Sequence, residues 1–82
     1  MREATADDLQ RGRAARAQDD VNTVVEVLHR IVGGLGTLGA EALAEQARSL
    51  MQDVPEQGLA ATAAQIDAFE QALQAYLDRL DT

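Results

Sequence analysis

Four aliphatic residues, Leu59, Ile66, Leu73 and Leu80, recur at intervals of seven through the C-terminal part of the chain. Ala63, Phe69 and Leu77 flank them, so apolar side chains return every three or four residues. That period suits a helix burying one face; a strand would alternate. The chain's single proline, Pro55, stands just before the stripe. A long C-terminal helix over 56–80 is expected, with Pro55 breaking the helix before it.

The preceding segments read the same way. Over 40–54, Leu43, Ala47, Leu50, Met51 and Val54 share one side, with Glu41, Glu45 and Arg48 largely off it. Over 21–36, Val21, Val24, Val25, Leu28, Val32 and Leu35 form a helical stripe, and Asp19 or Asp20 is the expected N-cap. The β-branched density there favours a strand, but strict alternation is missing and the run is too long. Gly33, Gly34, Gly36 and Gly39 either end this helix or thin out one of its faces. Residues 1–20 are polar and Ala-rich, with Leu9 the one large aliphatic after Met1, so a frayed, weakly anchored first helix is expected. The fold class is all-α: one domain over 1–82, a small up-and-down four-helix bundle with a short first helix.

Composition removes other classes. The seven basic residues are all Arg, against fourteen acids, for a formal charge of −7. An acidic chain without a basic stripe is a poor match for phosphate backbones, so no nucleic-acid partner is expected. With no Cys and one His, neither a disulfide framework nor a multi-ligand zinc site is available. The longest apolar run, Ile31 to Leu35, is far short of the ~20 residues that span a bilayer. Met1-Arg2-Glu3-Ala4 lacks the apolar core of a signal peptide. A cytoplasmic protein is the expectation.

Gly34-Leu35-Gly36-Thr37-Leu38-Gly39 matches G-x-G-x-x-G, the dinucleotide-binding fingerprint. The motif needs a strand before it and parallel strands beside it. Only Asp53-Val54 separates the following helix from Pro55, and no second βα unit exists. The fingerprint is a coincidence of letters.

His29 is the better candidate. With the apolar stripe centred near Val21, it lies about 80° round, at the margin of that face. Gly33 is one turn further along and Gly36 two turns, so one side of the imidazole is open to something large. Glu26, one turn before, is positioned to orient the other ring nitrogen.

The run Val27-Leu28-His29-Arg30-Ile31-Val32-Gly33-Gly34-Leu35-Gly36-Thr37-Leu38-Gly39-Ala40, followed by Leu43, Ala44 and Ala47, resembles a histidine-containing phosphotransfer (HPt) domain. That family's signature is a His, an aliphatic residue two on, usually a Lys three on and a Gly four on. A Gly-Ala pair follows ten and eleven residues after the His, and then a Leu/Ala-patterned helix. Ile31, Gly33, Gly39, Ala40 and Leu43 fall in register. The match is good from Val21 to about Val54, and the long last helix agrees with it. Val32 stands where the family usually has Lys.

The resemblance implies that His29 accepts a phosphoryl group from the aspartyl phosphate of a receiver domain and passes it to another receiver. Imidazole suits this because it is largely neutral near pH 7 and its N–P bond is labile. Gly33, Gly36, Ile31 and Val32 would form the access and docking surface, with Glu26, Arg30 and Arg48 as candidates for charge or orientation support. No cofactor is implied on this chain, since Mg²⁺ belongs to the receiver. The implied partners are a response-regulator receiver domain and a hybrid histidine kinase, and the carrier would have no independent enzymatic turnover. A second reading stays open: a non-phosphorylated helical adaptor or dimerisation module of HPt shape. The Leu59/Ile66/Leu73/Leu80 heptad offers a seam for a homodimer.

Overall fold

The computed structural model describes the backbone of residues 2–80 and the side chains of residues 7–80. Four helices follow one another: α1 (Arg2–Ala17), α2 (Val21–Leu38), α3 (Glu41–Gln57) and α4 (Leu59–Leu80). Each packs on its neighbour in sequence and α1 also touches α4, closing a bundle of 35 × 21 × 19 Å. The described residues contain no strand, which removes the context the dinucleotide fingerprint would need. No described helix is long and apolar enough to cross a membrane.

Asp20, rather than Asp19, caps α2. Its carboxylate accepts from the Thr23 hydroxyl at 2.6 Å and the Thr23 amide at 3.2 Å. Those two bonds, the hydroxyl's above all, hold the carboxyl below the ordinary aspartate range against a smaller opposing effect of burial. Asp19 is the linker residue with positive φ, 57°. The glycine cluster divides in function. Gly33, Gly34 and Gly36 lie inside α2, and the helix ends at Gly39, whose φ of 77° is the left-handed conformation glycine takes most readily. The Gly39 amide bonds to Gly36 O at 3.3 Å and the Ala40 amide to Leu35 O at 3.0 Å, which turns the chain directly into α3.

Pro55 does not break α3. The helix runs through it to Gln57 and ends at Gly58, whose amide bonds to Val54 O at 2.8 Å. With only two helical residues after it, the proline removes one bond from a final turn instead of interrupting a helix interior. α4 consequently starts at Leu59.

α2, α3 and α4 bury their apolar stripes against one another, with Ala47, Val54 and Leu73 fully enclosed. Thr62 is also fully buried, and its hydroxyl donates to Gly58 O at 2.8 Å. Leu59, Ile66 and Leu73 are taken up by this core, leaving only Leu80 of the heptad exposed. The heptad is therefore an intramolecular stripe and not the seam of a homodimer.

α1 also departs from expectation. It has 16 residues, against 18 in α2, and it is anchored. Leu9 and Ala15 are buried. A Cβ added at Gly12 would sit 3.5 Å from Val27, so the two helices approach closely there. Charge supplies what apolar residues do not: Arg16 pairs with Asp67 at 3.0 Å and Glu70 at 3.3 Å, and Arg13 with Glu70 at 3.4 Å. Hydrophobic patterning misses an attachment of that kind.

Candidate functional site

The orientation of α2 decides what His29 can do. The buried residues of this helix are Val24, Val27, Leu28, Ile31 and Leu35. Taking about 100° per residue, their mean direction is rotated roughly 60° from Val21. Val21, Val25 and Val32 move out to a half-buried flank as a result. His29 lies about 140° from the centre of the buried face by the same geometry, well beyond its margin. It is exposed, and its side chain makes no hydrogen bond or ion pair among the described residues.

The surroundings of the ring follow from the helical period. Gly33 is about 40° and Gly36 about 20° from its direction, one and two turns toward the C-terminus respectively. Both glycines are exposed, and a Cβ built on either meets nothing within 4 Å. The Thr37 hydroxyl donates to Gly33 O at 3.2 Å, giving that open backbone a second partner. On the N-terminal side Val25 and Asn22 lie within about 40° of His29. Apolar pattern alone puts Val25 in the core and gives Asn22 no role. Counting Val27 and Ile31 with the stripe would have turned the helix correctly. Val32 stays on the site's flank, half-buried, whereas Ile31 is 4% exposed and points inward. Ile31 belongs to the core and offers nothing to a docking partner.

The proposed charge support is distributed differently from expectation. Glu26 is turned toward α1, with Arg11 at 3.9 Å, and makes no bond to the imidazole. Arg30 is also drawn to α1, where it pairs with Asp8 at 3.5 Å. Its place on the helix, about 100° from His29, puts it on the α1 side. Arg48 stands on α3 and pairs with Glu45 one turn earlier at 2.8 Å, both side chains being more than half exposed. The structure thus brings Gly33, Gly36, Val32 and Val25 around a free imidazole, with two of the three candidate charges committed to α1. An exposed imidazole bonded to no other side chain among the described residues, and outside any metal-ligand cluster there, can act as a nucleophile toward a group delivered by a partner.

A bundle of this form carrying one exposed histidine above a glycine-thinned surface matches the family model for the Hpt domain, which covers residues 1–82. The chain belongs to the Hpt domain family. No curated protein and no solved structure shows a significant match. Hpt domains serve histidine phosphotransfer in two-component systems as phosphocarriers, working with receiver domains and kinases. The Hpt assignment agrees with the four helices and gives the polar first helix, residues 2–17, a place in the same domain.

Proposed function

We propose that His29 is the phosphoacceptor of this Hpt domain, taking a phosphoryl group from a receiver's aspartyl phosphate and returning it to a second receiver. The observation that carries the proposal is that the chain's one histidine is exposed beside two glycines that leave the approach open. The unprotonated ring nitrogen forms the N–P bond while the P–O bond to the aspartate breaks. The electron pair leaves with the carboxylate, and the other ring nitrogen keeps its proton. Catalysis of such a transfer is mainly positioning and charge neutralisation, so the receiver contributes the acidic pocket and Mg²⁺. The carrier contributes an accessible nucleophile and a flat surface. Val25, Val32 and the glycines form that surface and exclude water from its edge.

Incubation with phosphorylated receiver domains tests this. Label should appear on the wild-type chain, acid-labile and base-stable, and vanish in His29→Gln while the helical circular dichroism is retained. Label surviving in His29→Gln would sink the assignment. Val32, an aliphatic residue on the flank of the site, favours the adaptor as the second reading. Tight receiver binding without any transfer would decide for it.

A further inference from the structure

We infer that Arg48 is the phosphoryl-binding residue of the site, exchanging its partner Glu45 for the phosphoryl oxygens once His29 is modified. The inference rests on His29 being the acceptor. A phosphoryl group adds about two negative charges at neutral pH. It would be added to a chain of formal charge −7, beside Glu26, so a local cation has a defined task. The exposed face of α2 around His29 provides none, because Arg30 is drawn off to Asp8.

The α2–α3 hairpin brings Arg48 to the right level. From the turn, His29 lies nine residues back from Leu38, about 13.5 Å along α2, and Val32 six residues back, about 9 Å. Arg48 lies seven residues beyond Glu41, about 10.5 Å along α3, and so falls between them. It also stands on the correct flank. Gln46 and Leu50 of α3 line a cleft with Gln65, Ala68 and Phe69, which fixes the side that faces α4. By the helical period, Ala44, Arg48 and Met51 lie on the opposite flank of α3, which is the side toward α2. His29 leans from the outward direction of α2 toward the same seam, since Glu26 and Arg30 lie on the α1 side.

Arg48 is free to change partners. Its bond to Glu45 joins two side chains 52% and 73% exposed, the class of surface pair that contributes little to stability. A phosphoryl group offers a fork of oxygens that matches guanidinium better and carries more charge than one carboxylate. Glu45 then acts as the resting partner that the phosphoryl group displaces.

Phosphoramidate tests this without a receiver. The reagent's P–N bond breaks, ammonia leaves, and a new N–P bond forms at His29. Labelling rate and the phosphorus NMR shift of the product are measured for wild type, Arg48→Gln, Arg48→Lys and Arg79→Gln, with circular dichroism as the folding control. Arg48→Gln should slow labelling about three- to tenfold, the range for a charge-assisted contact at an exposed site. Its phosphorus resonance should move, and Arg48→Lys should recover most of the rate. Arg79→Gln removes the same charge from the end of α4 and should leave both readouts unchanged. Equal rates and resonances for wild type and Arg48→Gln would overturn the role of Arg48 while leaving His29 as acceptor. A similar loss in Arg79→Gln would reduce the effect to net charge and overturn it too. No phosphohistidine on the wild-type chain would overturn the acceptor assignment, and this inference with it.

Discussion

Arg30 of α2 pairs with Asp8 of α1 at 3.5 Å, over a carboxylate that the bundle almost encloses. The pair explains why a cation next in sequence to His29 does not serve it. Removing the guanidinium leaves a largely buried carboxylate without that partner, at a cost of about 1–2 kcal/mol given that half of the pair is solvated. Arg30→Ala should therefore lower the urea midpoint and leave the rate of His29 labelling unchanged. A loss of labelling as large as that of Arg48→Gln, with the midpoint unmoved, would return Arg30 to the site.

The three glycines inside α2 separate stability from access. None has an atom within 4 Å of an added Cβ, so alanine is accommodated at each. Each Gly→Ala change in the helix interior, exposed at 33 and 36 and half-buried at 34, should stabilise by up to about 1 kcal/mol. Their directions differ: Gly33 and Gly36 flank His29, whereas Gly34 lies about 140° away. Transfer from a receiver should thus be slowed by Gly33→Leu and Gly36→Leu, and left intact by Gly34→Ala, which still raises the melting temperature. If leucine at 33 and 36 leaves receiver transfer at the wild-type rate, the glycines are not the approach surface.

Much of this was legible from periodicity, because three of the four helices bury regular aliphatic stripes. The positions that escaped it share a physical cause. Periodicity alone misplaces the direction of α2 because Val21 and Val25 look as apolar as Val27 and Ile31, and only packing against the neighbouring helices ranks them. α1 looked unanchored because its attachment runs through Arg13 and Arg16 to acids more than fifty residues away in sequence. Charges carry no period from which such a partner can be read. Pro55 reads as a break in the sequence because its place in the last turn depends on where α3 ends, which the Gly58 cap determines. His29 was legible as a candidate, its isolation from Glu26 and Arg30 was not.

The cap of α2 carries a pH dependence of known sign. Bonds from Thr23 hold the Asp20 carboxyl below its ordinary value in the folded chain. The folded value lies below the unfolded one, so the cap's contribution is complete above the unfolded value and is lost as pH falls through the folded one. Acid titration of stability should therefore show a component below the ordinary aspartate range that disappears in Asp20→Asn, which keeps a capping oxygen but not the charge. An unchanged acid limb in that variant would assign the dependence to other carboxylates.

Arg16 decides whether α1 opens separately from the rest. Its guanidinium holds Asp67 and Glu70 together, while α1 contributes only Asp8, Leu9, Gly12 and Ala15 to the buried side among the described residues. A surface pair is worth about 0–1 kcal/mol, but this one is shared by two carboxylates, and Glu70 is also held by Arg13. At 1 M salt the Debye length falls to about 3 Å, comparable with the pair distances, and the attachment weakens. Amide hydrogen exchange from Leu9 to Ala17 should accelerate in Arg16→Gln and in high salt. Protection around Ala47, Val54 and Leu73 should persist, because that part of the bundle is held by apolar contact, which salt does not weaken. Uniform acceleration in all four helices would mean that α1 unfolds with the bundle, and that the ion pairs contribute to global stability rather than to a separable first helix.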